Sequence, residues 1–85
     1  MGVVTAAAAD LADLTVTATG AGNIEVALYD LAALPPSGSP KWELRVATAN
    51  TTTPVHFSPK LEFDNGIVID MTSGVGYACL AYGQP

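Results

Sequence analysis

The stretch "PKLEFDNGIVIDM", residues 59–71, decides how the chain is read. Leu61 and Phe63 alternate with Lys60, Glu62 and Asp64. Beyond Asn65-Gly66, Ile67, Ile69 and Met71 alternate with Val68 and Asp70. A period of two marks a strand with one face in a core and the other in water. Asn65-Gly66 between the runs is a turn signal, because Asn and Gly both accept positive φ.

The same rhythm extends outward. Residues 14–18 (LTVTA) set Leu14 and Val16 against Thr15 and Thr17. Residues 24–31 (IEVALYDL) set Ile24, Val26 and Leu28 against Glu25, Ala27 and Tyr29. Residues 41–48 (KWELRVAT) set Trp42, Leu44 and Val46 against Lys41, Glu43 and Arg45. Residues 53–58 (TPVHFS) set Val55 and Phe57 against Pro54, His56 and Ser58. Between them TGAGN (19–23) suits a short hairpin loop. LPPSGSPK (34–41), ANTTTP (49–54) and TSGVG (72–76) read as further connections. About seven short, closely spaced strands predict an all-β fold, a small antiparallel β-sandwich of jelly-roll type. AAAADLADL (6–14) contains good helix formers but is too brief for a stable isolated helix. It reads as part of an extended N-terminal arm, residues 1–10, entering a single domain over 11–85, with a helical turn as the lesser option.

VGYACLAYG (75–83) breaks the pattern. Val75, Tyr77, Cys79 and Ala81 form one row and Ala78, Leu80 and Tyr82 the other, and neither carries a charge. A strand apolar on both faces needs cover on both. The domain's own core supplies one cover, and a neighbouring chain is the expected other.

Composition points the same way. At 85 residues the chain is one domain, of a size that is marginally stable alone. Its single cysteine and single histidine allow neither an internal disulfide nor a His/Cys metal cage. Association with other chains is the remaining support. Apolar residues reach 49% and charged ones only 13%, more apolar surface than so small a body hides easily. Three basic residues against eight acidic ones, a net charge of −5, argue against a nucleic-acid or anionic-membrane partner. No run approaches the roughly 20 apolar residues of a spanning helix, and the start of the chain lacks the basic residues of a secretory signal.

Candidate chemistry is sparse. If Asn65-Gly66 closes a hairpin, Asp64 and Asp70 come within reach of each other, with Glu62 nearby. A glycosidase pair needs a cleft and a calcium site needs six to eight oxygens, so the bland reading is a wet sheet face. His56 has Ser58 on its own face and needs an acid from another strand to resemble a triad. No nucleophile elbow is present, and a surface or interface histidine is the expected role. Cys79, with no cation beside it in sequence, reads as a buried inert thiol. Trp42 falls on a core row, whereas Tyr29 and Tyr82 suit an exposed surface. The candidate interface residues are Val3, Val4, Tyr29, His56, Leu80 and Tyr82. No catalytic residue, metal ligand or cofactor site is expected.

The order of segments resembles small β-sandwich structural proteins of tailed-phage virions. Leu28-Tyr29-Asp30 is followed by Gly38 and Pro40, then Phe63, Gly66 and Ile67, then Thr72, Gly74 and finally Tyr82. The resemblance spans residues 14–83. It implies a capsid decoration or cement protein on the virion surface, a homotrimer seated between capsomers and bound to the major capsid protein. The N-terminal arm would reach a neighbour, and no catalysis would be required. The alternative is a host-attachment or carbohydrate-binding module stacking glycans on Tyr29 or Tyr82, or a neck, tail or head-fibre component.

Overall fold

The computed structural model describes residues 2–20, 23–34, 36, 38–47, 50–72 and 75–85. The remainder of the loops read from sequence (Ala21, Gly22, Pro35, Ser37, Thr48, Ala49, Ser73 and Gly74) lies outside the described residues, as does Met1. Seven strands follow one another: β1 (Gly2–Thr5), β2 (Ala9–Ala18), β3 (Ile24–Tyr29), β4 (Trp42–Val46), β5 (Thr51–Phe63), β6 (Ile67–Thr72) and β7 (Gly76–Gly83). They form a four-stranded sheet in the order β1-β6-β3-β4 and a three-stranded sheet in the order β5-β2-β7, with every pairing antiparallel. The all-β sandwich expected from the alternation is the architecture found.

The inward rows meet as one core. Leu11, Leu14, Val16 and Ala18 of β2 face Ile24, Val26 and Leu28 of β3, with Val46, Phe63 and Ile67, and all are buried. Trp42, Leu44, Val55, Phe57, Ile69, Met71, Ala78 and Leu80 pack around them half-buried. The alternation puts these side chains on one face because successive Cβ atoms of a strand point to opposite sides.

The connections differ from the sequence reading. Residues 19–23 and Asn65-Gly66 do not close hairpins: β2 and β3 lie in different sheets, and so do β5 and β6. Among the described strands only β3 and β4 are consecutive within one sheet. At the second crossing the chain passes close under its neighbours. Gly66 has φ +152°, and a Cβ there would lie 2.5 Å from the Thr5 carbonyl oxygen and 2.6 Å from that of Leu31. Only glycine fits such an approach without displacing backbone. Asp30 holds the turn from across the sandwich, its Oδ1 accepting the Asn65 N–H at 2.8 Å and its Oδ2 the Asp64 N–H at 3.1 Å. Because Asp64 lies in the turn between the sheets and Asp70 pairs with Ala27 on β3, the two are not cross-strand partners.

The leading residues form no free arm. Gly2–Thr5 is the edge strand β1 on β6, and Ala9 and Asp10 already belong to β2, so a boundary at residue 10 falls inside a strand. The pull is hydrophobic: Val4 packs against the core and Ala9 is buried. The polar segment at 51–54 likewise joins β5, paired along β2 from Ala18↔Thr51 to Thr15↔Pro54. Its threonines suit a strand whose outer face is wet.

Candidate interaction surface

The two long sides of the sandwich are closed differently. On one side β4 lies over β5, and the rings of Trp42 and Phe57 meet edge to face with centroids 5.4 Å apart. On the other, β1 lies over β7. A bulge leaves Val4 out of the β1–β6 register, and its carbonyl accepts a hydrogen bond from Tyr82 Oη at 3.3 Å. A bulged residue is free of ladder partners, so this carbonyl is available to bridge the sheets.

β7 pairs with β2 along its whole length, from Ala18↔Gly76 to Asp10↔Gly83. The extra residue in this pairing is Ala12 on β2, so β7 itself runs unbroken. Ala78 and Leu80 point inward against the core. Tyr77, Cys79 and Ala81 point outward and are exposed. The other side of β7 is a sheet edge, where alternate residues direct N–H and C=O groups away from β2. Close pairing at the start of β7 requires Gly76, because a Cβ there would lie 2.1 Å from the Thr17 carbonyl oxygen and 2.5 Å from Ile24 Cδ1. From Met71 to Pro85 the chain has no Asp, Glu, Lys, Arg or His. Val75, Tyr77 and Tyr82 are 62%, 55% and 46% exposed, the three most exposed of the large apolar side chains described.

The candidate residues therefore separate. Tyr82 and Val4 are brought together at the β1/β7 side, with Val3 exposed on β1 nearby in sequence. Leu80 is turned inward, so the outward row of β7 is the one containing Cys79, whose thiol is exposed rather than buried. The sequence could not choose between two uncharged rows; the β2 register does, by placing Leu80 opposite buried Leu14. Tyr29 stands half-buried on the other sheet beside Val68, a fully buried residue outside the main core. Tyr29 and Tyr82 thus share no stacking platform.

His56 lies on the outer face of β5, where its Nδ1 meets Asp13 Oδ1 of β2 at 2.7 Å. The imidazole is 71% exposed, and a pair so open to water contributes little to stability. It occupies an open sheet surface. A concavity of about 440 Å³ lies on the outer face of the opposite sheet, lined by Glu25, Ala27, Tyr29, Glu43, Arg45 and Asp70 among others. There Arg45 is paired with Glu25. Among the described residues no three His, Cys, Asp or Glu side chains converge to hold a metal ion.

One functional group went unread in the sequence. Burial raises the Asp30 carboxyl pKa, but the N–H groups of Asn65, Asp64 and Gly66 and the charge of Lys41 more than offset this and hold it below the ordinary aspartate value. Asp30 therefore fastens the sheet crossing as a carboxylate. Its partners lie 34 and 35 residues away, beyond any local pattern. Comparison with protein-family models, curated proteins and solved structures finds no match.

Proposed function

We propose that this chain is a non-enzymatic assembly protein that works as a piece fitted between other chains. In the setting implied by its segment order, it is a decoration or cement protein of a tailed-phage head, a homo-oligomer bound to the major capsid protein. The observation that carries the reading is β7, an uncharged edge strand of eight residues with Tyr77, Cys79 and Ala81 on its outer face. Exposed uncharged edges pair with other chains unless they are blocked, and contiguous apolar surface on a small domain marks a contact site. The open placement of His56 and Asp13, both side chains more than half exposed, favours binding over catalysis.

The mechanism is linkage. A protein that binds only the mature, expanded shell stabilises that shell by mass action, and an oligomer touching several subunits adds avidity. The test is co-sedimentation of the purified chain with precursor and expanded phage heads, followed by heat challenge. Binding to expanded heads alone, with a raised melting temperature, is expected. Failure to co-sediment, with unchanged heat resistance, overturns the virion setting.

A further inference from the structure

Among the described strands none pairs with the outer edge of β7. We infer that two chains pair antiparallel through β7 about a two-fold axis at Cys79, joining their three-stranded sheets into one.

Charge selects the surface. Each chain carries −5, so most approaches of two copies bring like charges together. The β7 edge largely avoids this cost, because no Asp, Glu, Lys, Arg or His occurs from Met71 to Pro85. Two cross-strand acids stand on the same outer face: Asp13, opposite Ala81, is faced by His56, and Asp10 lies at the far end opposite Gly83.

Geometry selects the register. A two-fold axis normal to a sheet keeps the outer face of one copy beside the outer face of the other. Residues opposite each other must then both point outward or both inward. In β7, Tyr77, Cys79 and Ala81 point outward, while Ala78, Leu80 and Tyr82 lie on the inward row. An axis through Cys79 satisfies the condition. It sets Tyr77 opposite Ala81 of the second copy, Ala78 opposite Leu80, and Gly76 opposite Tyr82. Each large side chain meets a small one, on both faces, along the whole strand. The near-palindrome Gly76-Tyr77-Ala78-Cys79-Leu80-Ala81-Tyr82-Gly83 is centred between Cys79 and Leu80, so an axis at Cys79 offsets its halves by one residue and sets each tyrosine against a small residue. Moving the axis to Leu80 would instead oppose two leucines at the core side. An isologous edge of this kind closes after two copies, unlike the three-fold arrangement implied by the resemblance.

Cys79 is the chain's only cysteine and is exposed, so the unmodified protein carries its own probe. Sedimentation equilibrium should give twice the chain mass, and a short bismaleimide should link two chains through Cys79. Cys79→Glu and Cys79→Lys each place like charges directly opposite across the axis and should weaken association about 100-fold. Mixed one to one, they should recover a heterodimer. Cys79→Ser should still dimerise without cross-linking. A monomer or a trimer overturns the proposal, as does a dimer that neither cross-links at Cys79 nor responds to the charge exchange. The experiment needs no phage particle, so a dimer that fails to bind heads removes the virion setting and leaves this inference standing.

Discussion

β5 and β7 flank the same strand, β2, and are opposite answers to one problem. Both are edges of the three-stranded sheet. β5 contains Pro54 and Pro59, bears His56, Lys60 and Glu62, and swings away from β2 so that Phe57 to Lys60 stand against Ala12 alone. Proline removes a donor, charge repels a docking strand, and a distorted edge cannot continue a ladder. β7 has no proline, charge or break of its own. The seams above them differ too: aromatic rings close the β5 side and a single hydroxyl bridges the β7 side. The difference teaches that the β5 edge carries its own blocking devices, whereas the β7 edge carries none of them.

The comparison can be broken most severely at Gly76. Gly76→Ala drives a methyl into the Thr17 carbonyl and Ile24, and should cost about 3 kcal/mol. Urea unfolding would show it as a lower midpoint; an unchanged midpoint would mean that β7 is not seated as described. On the opposite seam, Phe57→Ala removes a half-buried ring and its contact with Trp42 and should cost about 2 kcal/mol by the same measurement. It should leave self-association through β7 intact, which light scattering checks.

Asp30→Asn touches neither edge and separates fold stability from edge behaviour. Because the folded carboxyl pKa is depressed, its contribution is present above the unfolded value near pH 4 and is lost as pH falls through the folded one. The wild type should therefore lose stability more steeply than the variant below about pH 4, in urea titrations at stepped pH, with no change in association at neutral pH. The smallest effect belongs to Tyr82→Phe, which deletes only the hydrogen bond to the Val4 carbonyl. About 0.5–1 kcal/mol is expected, with faster amide exchange along β1 than along β4.

The fold was legible where the argument was local. The alternating rows of Leu14 to Ala18, Ile24 to Leu28 and Trp42 to Val46 are buried, or for Trp42 and Leu44 half-buried, on the faces that their periodicity assigns. What escaped depended on distance along the chain. Asn65-Gly66 announces a turn, but a turn joining two sheets and a turn closing a hairpin look alike until Asp30 and the Thr5 carbonyl are seen around it. Gly2–Thr5 resembles an arm because four residues carry no period, and only pairing with β6 makes them a strand. The uncharged C-terminal surface was legible as a composition. Which of its rows faces water was not, since that is fixed by register with β2.

The order of strands has a consequence for the pace of folding. β1 finds its partner in β6, and the long strand β2 pairs with β5 on one side and β7 on the other. Each sheet is therefore stitched from segments far apart in sequence, and ring closure over those long loops comes before any ladder is rewarded. Folding should be slow for so small a body, at the rate that distant contacts set.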